Sequence, residues 1–376
     1  MSHVRLITDM RELERLAGEW QALSGSNLLR SWTFQRCWLE HFSTADAVRT
    51  LVAEENGKVI GIFPLVEERR LWTGRTLVNV GSGKACLDDL GIVANPDRAV
   101  DVARDFASYL LHSRELPWEY LDLDGIRISD PAMQAFTEVF SINSPGSVER
   151  RKSPSCWVLP LQPDEDGFHR WPRRLRGRIR EARAERKSGD LEVHIARTVH
   201  EACSELEVMK SIHQARWQDR GIHGCFSSEA FSGFVRDVVS QTCESGHSFI
   251  AILRWRGTPS AGGIFFIDDT TLSIYLASMA PNSSVQNPGW KLNGLLCDYA
   301  LERGCRQVDF MRGDEEYKAR MGAVPFAQER WMVSSPRFLG RVHRTLYRTA
   351  REIKHFIKVP PAPTVPPSVS QPAPIP

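Results

Sequence analysis

Apolar positions along the first 140 residues change period several times, and each change marks an element. A short strand over 4–7 gives way to a helical period over 10–22, where Asp9 and Glu12 have capping-box spacing. A second helix over 32–42 is aromatic on one face. Apolar runs at 48–54 and 59–67 flank Glu55-Asn56-Gly57-Lys58, a hairpin signature, because Asn and Gly accept the positive φ of a tight turn. A strand near 90–93, a helix over 97–112, a strand over 120–123 and a helix over 131–140 complete this part. The second part predicts strands over 191–195, 248–254, 261–266, 271–277, 307–311 and 328–333. Its helices fall over 199–220, 228–242 and 288–303, with a short one between the last two strands. That order is α/β with a largely antiparallel centre, and the first part repeats it coarsely without evident identity, so two similar folds in tandem are expected.

Between the parts, Pro163-Asp164-Glu165-Asp166-Gly167 reads as a linker. Residues 170–187 then carry nine Arg or Lys against two Glu. After the last strand, 337–358 places Leu339, Val342, Leu346, Ala350, Ile353 and Ile357 on one helical face, with seven Arg or Lys against one Glu elsewhere. This helix is expected to pack its apolar face on its own domain, with adsorption to an anionic membrane as the secondary option. The last eighteen residues contain eight prolines and should be extended or disordered. The expected organisation is a first domain at 1–162, a basic segment at 163–189, a second domain at 190–335, a basic amphipathic helix at 336–358 and a proline-rich tail at 359–376.

Composition narrows the function classes. At 376 residues, 42% hydrophobic and 25% charged, the chain has room for two ordinary cores. Eight cysteines occur singly, without CxxC or zinc spacing, and read as mostly buried thiols; no metal site is expected. No stretch is long and apolar enough for a membrane span, and the amino terminus lacks a secretory core, so a cytoplasmic protein is expected, with the inner membrane face as a peripheral location. The net charge of +2 leaves nucleic acid unsupported globally, and Trp171 is the only aromatic beside the basic tract.

The densest chemistry lies at 308–320. A strand carrying Asp309 breaks at Gly313 into a turn rich in charge: Arg312, Asp314, Glu315, Tyr317, Lys318 and Arg320. Lys318 suits an anion or a developing oxyanion, and Asp309 or Glu315 suits proton abstraction from an attacking amine or hydroxyl. The same residues also fit an ion-pair cluster that merely fixes a loop. Before this strand, the helix opening at Pro288-Gly289-Trp290-Lys291 can hold a phosphate on backbone N–H groups, or can be an ordinary capped helix. His213, Arg216 and Trp217 share one helical face, where core packing competes with substrate contact. No GxSxG elbow and no metal-ligand spacing occurs.

From His213-Gln-Ala-Arg216-Trp217-(x)3-Gly221 and Phe226, through Pro288-Gly289, to Asp309-Phe-Met-Arg312-Gly313-Asp314-Glu315-Glu316-Tyr317-Lys318-Ala-Arg320-Met-Gly322-Ala323, the chain resembles the CelD/BcsL-like acetyltransferases of the GNAT superfamily. This family is associated with cellulose or exopolysaccharide biosynthesis. The first part is more loosely similar, through Trp32, Trp38 and Gly61-Ile-Phe-Pro64, to the tandem-GNAT layout shared with Fem-like aminoacyltransferases. The resemblance implies two GNAT-like domains and acyl transfer from acetyl-CoA or another acyl-CoA to an amine or hydroxyl. It places the CoA pyrophosphate at Gln286, Gly289, Trp290, Lys291 and Asn293. It also implies catalytic roles among Lys318, Asp309, Glu315, Tyr317 and His213, and substrate contacts from Trp217, Arg216, Arg312, Asp314 and Arg320. Two departures stand out: Lys291 replaces a glycine of the usual Q/R-x-x-G-x-G/A signature, and Met321 replaces a tryptophan. The implied acceptor is a saccharide or a lipid- or nucleotide-linked cell-envelope precursor, with a polysaccharide-synthesis complex as an expected contact. Asp88 and Asp89 line the shared cleft or form an ordinary loop. The alternatives are an aminoacyl-tRNA-dependent Fem-like aminoacyltransferase and a non-catalytic glycan-binding scaffold.

Overall fold

The computed structural model describes residues 2–161 and 171–358; the expected linker at 163–167 and the proline-rich tail lie outside them. The first half runs β1 (His3–Ile7), α1 (Met10–Arg15), α2 (Ala17–Ser24), α3 (Trp32–Phe42), β2 (Thr50–Glu55), β3 (Lys58–Phe63), β4 (Leu65–Arg70), β5 (Gly74–Asn79), β6 (Val93–Ala94), α4 (Ala99–His112), β7 (Tyr120–Arg127), α5 (Pro131–Asn143), β8 (Val148–Lys152) and β9 (Cys156–Pro160). The second runs α6 (Arg173–Ser188), β10 (Leu191–Ala196), α7 (Val199–Gln218), α8 (Glu229–Thr242), β11 (Ser248–Trp255), β12 (Thr258–Ile267), β13 (Thr271–Met279), α9 (Pro288–Glu302), β14 (Gln307–Arg312), α10 (Glu316–Arg320), β15 (Val324–Phe326), β16 (Gln328–Ser334) and α11 (Phe338–Lys358).

Local chemistry explains most boundaries. Asn56 and Gly57 both take positive φ and close the β2–β3 hairpin. Pro64 has no N–H to give a ladder, so the single strand expected over 59–67 is two strands, β3 and β4. The helix expected over 10–22 breaks at Leu16 into α1 and α2. Asp9 caps α1 through the N–H of Arg11, while Glu12 turns instead to Arg5.

The strands form three sheets, in the orders β1-β2-β3-β6, β4-β5-β7-β16-β8 and β10-β11-β12-β13-β14-β9-β15. Two five-strand runs match in order and direction: β4-β5-β7-β16-β8 and β12-β13-β14-β9-β15. In each, the second and third strands are parallel and the other pairs antiparallel. The fourth strand of each run comes from the other half of the chain. β9, expected with the first part, pairs with β14; β16, expected with the second part, lies between β7 and β8. The pattern could not place them, because which strand pairs with which is set by segments far apart in sequence and leaves no mark in a strand's own residues.

One core cluster also spans the halves. Phe34 of α3 meets Phe266 of β12 edge-on at 4.6 Å between ring centres, and Phe42 packs on Phe234 of α8. The fold is thus α/β with mixed, largely antiparallel sheets, in which two similar units are interlocked. Among the described residues no helix is long and apolar enough to cross a membrane. Five of the eight cysteines are buried, and Cys86 is exposed.

Candidate active site

The parallel pair β13 and β14 is hydrogen-bonded over only three positions, Thr271 with Gln307, Leu272 with Val308 and Ser273 with Asp309. Beyond Ser273, β13 continues against β12 as far as Met279, while β14 stays with β9. A wedge opens between them, and α9, the crossover that joins them, begins at its mouth. A register shift at Tyr275 bulges β13 beside the wedge, and the Tyr275 hydroxyl donates to the Ala85 carbonyl at 2.6 Å.

The first unit repeats this geometry but closes it. β5 and β7 pair from Thr76 with Tyr120 to Val78 with Asp122 and then part. There the Asn79 side chain stitches the strands: its Nδ2 donates to the Asp124 carbonyl at 2.8 Å and its Oδ1 accepts from the Asp124 N–H at 3.1 Å. At the matching place in the second unit stands Ile274, which has no polar group to do this.

The 308–320 block holds the molecule together at the root of the open wedge. The Asp309 carboxylate accepts from the Met311 N–H at 2.7 Å, fixing Met311 at a φ of 56°. Asp309 itself is pushed up to about 7, mainly by burial and further by Asp88, against the Met311 bond. It lines a cavity of about 170 Å3 with Asp88, Asp89, Arg127 and Ser273. Arg312 crosses to the first half, where Nε donates to Asp88 at 2.7 Å and Nη1 to Asp124 at 2.8 Å. Asp314 accepts from the Ser155 N–H and the Trp157 indole, tying down the incoming strand β9.

Lys318, expected to contact an anion or a developing oxyanion, lies within the turn. It is 2% exposed, and its Nζ donates to the carbonyls of Met311, Arg312 and Gly313 at 3.0–3.1 Å, with Glu315 at 2.9 Å. An ammonium has three donors, so this one is committed to the turn rather than aimed at substrate. Glu315 is exposed. Arg320 is exposed too and pairs with Glu316. Tyr317 packs edge-on against Phe310, and burial, then Glu315, raises its hydroxyl.

Lys291, expected at the CoA pyrophosphate, faces α6. Its ammonium, 1% exposed, lies 2.6 Å from Glu185 and 3.1 Å from Glu181. Gly294 lets α6 approach this closely, since a Cβ there would sit 2.7 Å from Ile179. The other expected phosphate contacts are dispersed. Gln286 is exposed, Trp290 is half-buried, and Asn293 is buried with its Nδ2 toward the Met321 sulfur at 3.7 Å and its Oδ1 unpartnered. Gly289 remains open: a Cβ there meets only the Met279 sulfur, at 3.7 Å.

His213 is a packed residue, 3% exposed, whose Nε2 accepts the Trp217 indole N–H at 2.8 Å. Burial lowers its pKa, with Arg216 adding to the effect, so the imidazole is neutral. Arg216 is half-buried on the same helix, close enough to Glu315 and Tyr317 to feel both. Asn79, Asp124, Arg127 and Tyr275 are residues the sequence analysis did not single out. Leu121-Asp122-Leu123 and Val308-Asp309-Phe310 occupy the same strand positions in the two units, a parallel that marks Asp122 but not Asp124.

The open wedge between splayed parallel strands, with a helix starting at its mouth, lies within residues 173–319, which match the family of acetyltransferase (GNAT) domains, a fold with the capacity to bind an acyl-CoA. The match is coarser than the CelD/BcsL-like group, and it begins at the first residue of α6, which was expected to form a separate basic segment. The fold is similar to that of FemX, at a TM-score of 0.61 and 10% identity, over 87% of this chain and 96% of that one. It is also similar to the C-terminal domain of a putative lysylphosphatidylglycerol synthetase from Agrobacterium fabrum, with TM-score 0.55, 10% identity and 89% and 96% of the two chains. For L-PGS from Bacillus licheniformis the values are 0.52, 13%, 91% and 96%. No curated protein matches the chain.

Proposed function

We propose that the chain is a Fem-like tandem-GNAT aminoacyltransferase, which moves an aminoacyl group from aminoacyl-tRNA to an amine or hydroxyl of a cell-envelope precursor. The observation that carries acyl transfer is the wedge, open in the second unit and stitched by Asn79 in the first. The place of Lys291 favours a tRNA-borne donor over acetyl-CoA. At the position where the CoA signature has glycine, this side chain is buried against α6 and lends no charge to a pyrophosphate. The same α6 exposes Arg173, Arg180 and Lys187 at seven-residue spacing on one side, with Arg174 and Arg186 exposed elsewhere on the helix, positive charge suited to a phosphate backbone. The fold likeness to FemX and to the lysylphosphatidylglycerol synthetase domain adds support.

In this reading the attacking amine or hydroxyl adds to the acyl carbonyl at the wedge and gives its proton to Asp309, whose raised pKa suits a base working near neutrality. The ester bond to the tRNA ribose then breaks, and the ribose oxygen leaves with that proton. Lys318 fastens the turn that follows Asp309 and takes no part in the transfer itself. The acceptor is a saccharide or a lipid- or nucleotide-linked precursor, met at the inner membrane face.

The test sets the two donors side by side on the full chain. Aminoacyl-tRNA should bind with steep salt dependence, weakened by Arg173→Glu with Arg180→Glu, while acetyl-CoA titrated by calorimetry stays flat. Saturable acetyl-CoA binding abolished by Gly289→Trp would instead establish the acyl-CoA reading and a saccharide acetyltransferase. Binding of glycan with no turnover of either donor would leave a scaffold.

A further inference from the structure

α11 presents its sides to very different surroundings. Toward the first unit, the Tyr347 hydroxyl accepts from Arg151 at 2.7 Å and its ring packs on Tyr120 at 5.9 Å. Arg344 donates to the Gly146 carbonyl and His343 to the Trp72 carbonyl. The opposite side carries Phe338 at 77% exposure, Leu339 at 55%, Val342 at 38% and Leu346 at 47%. At 3.6 residues per turn these four fall within about 100° of arc, with Gly340 and Tyr347 turned away from them. The described part of the helix docks through its polar side, and Leu339, Val342 and Leu346 of the apolar face expected to pack on the domain are left outside.

A second element extends that face. The β4–β5 hairpin tip exposes Leu71 at 82% and Trp72 at 50%, and it abuts α11: a Cβ on Gly74 would lie 2.9 Å from His343. Arg69 and Arg341 are exposed beside these residues. From Phe338 to Tyr347 the helix holds Arg341, His343 and Arg344 and no acid.

We propose that α11 and the β4–β5 tip together form a docking surface for an anionic membrane. Leu71, Trp72, Phe338, Leu339, Val342 and Leu346 enter the headgroup region, and the flanking arginines meet lipid phosphates. Two features select this occupant. The rim is basic, which complements anionic lipid and opposes a second copy of the same face. Trp72, at the tip, has the amphipathic ring that favours a membrane–water interface. The surface is independent of the acyl donor.

Flotation of the full chain with vesicles decides the matter. Binding to phosphatidylcholine vesicles containing phosphatidylglycerol should be salt-sensitive, and binding to pure phosphatidylcholine should be weak. Trp72→Ser with Leu339→Ser should reduce binding to the anionic vesicles by about tenfold or more. Arg341→Glu should reduce it while leaving the weak phosphatidylcholine binding as it was. Unchanged unfolding midpoints, expected for exposed positions, exclude misfolding. Absence of flotation, or equal binding to both vesicle types, overturns the proposal. So does a dimer in sedimentation velocity that the double substitution dissolves while vesicle binding stays absent.

Discussion

Arg312 and Asp88, 224 positions apart in sequence, form a buried charged clasp between the two halves of the described chain. The guanidinium Nε lies 2.7 Å from one carboxylate oxygen, and the Arg312 backbone N–H donates to the other at 2.8 Å. Asp88 is 3% exposed at its side chain and Arg312 17%. Burial raises the Asp88 pKa and Arg312 works against that rise, so each charge is tolerated because the other is present.

Removing one partner should therefore cost much more than an exposed ion pair would. Arg312→Ala leaves Asp88 buried and unpaired and is expected to destabilise the protein by about 3–5 kcal/mol in denaturant unfolding. Arg312→Lys should recover little, because one ammonium cannot fork to both Asp88 and Asp124. A loss in Arg312→Ala no larger than that of a surface pair, about 1 kcal/mol or less, would show that the clasp is not what joins the halves.

Lys318→Met separates a turn staple from a catalytic cation. The substitution keeps much of the side chain's length but strands three carbonyls, so a stability loss of about 2–4 kcal/mol is expected, from unsatisfied buried groups at about 1–3 kcal/mol each with partial relaxation. Acyl transfer should fall only in step with folded protein. Unchanged stability with a collapsed kcat would return Lys318 to the reacting atoms.

Asp309 predicts a particular pH dependence. Its folded-state pKa, about 7, is raised above the ordinary 3.8, so the folded protein keeps a proton that the unfolded chain gives up. The contribution to stability is fully present below pH about 4 and is lost as pH rises to about 7, with a limiting slope of about 1.4 kcal/mol per pH unit. Asp309→Asn should remove this decline, and the difference between wild type and variant, measured from pH about 4 to 8, isolates it. A difference that does not change with pH would contradict the burial of this carboxyl.

The exchanged strands predict that neither half folds alone. A fragment of residues 1–162 lacks β16, which separates β7 from β8 and gives β8 its ladder. By circular dichroism it should unfold without a sharp transition, and co-expression with residues 163–376 should restore one. A cooperative, monomeric 1–162 would mean that the first sheet closes without β16.

Elements with strong local signals were legible. Trp32–Phe42 is the expected helix to the residue, and the Asn56-Gly57 hairpin and the start of α9 at Pro288 stand where the pattern predicts. β5, β8, β9 and β15 were not foreseen. β8 is a charged Val-Glu-Arg-Arg-Lys run and β15 has three residues, so their strand state comes from the neighbours they pair with. The charged block at 308–320 was visible as a site, but its division of labour was not. Arg312 found its partners at 88 and 124, Asp314 at 155 and 157, and Lys318 within its own turn.

By itself, the amino-acid sequence determined where helices begin, where hairpins turn, the α/β order and the residues rich in chemistry, because these follow from near-neighbour propensity and periodicity. The tertiary structure alone decided that β9 and β16 trade sheets, that Asn79 closes one wedge while Ile274 leaves the other unstitched, and that Lys291 and Lys318 are buried among carboxylates and carbonyls. Which buried partner satisfies a charge depends on chain segments brought together from far apart, and local pattern carries no information about that choice.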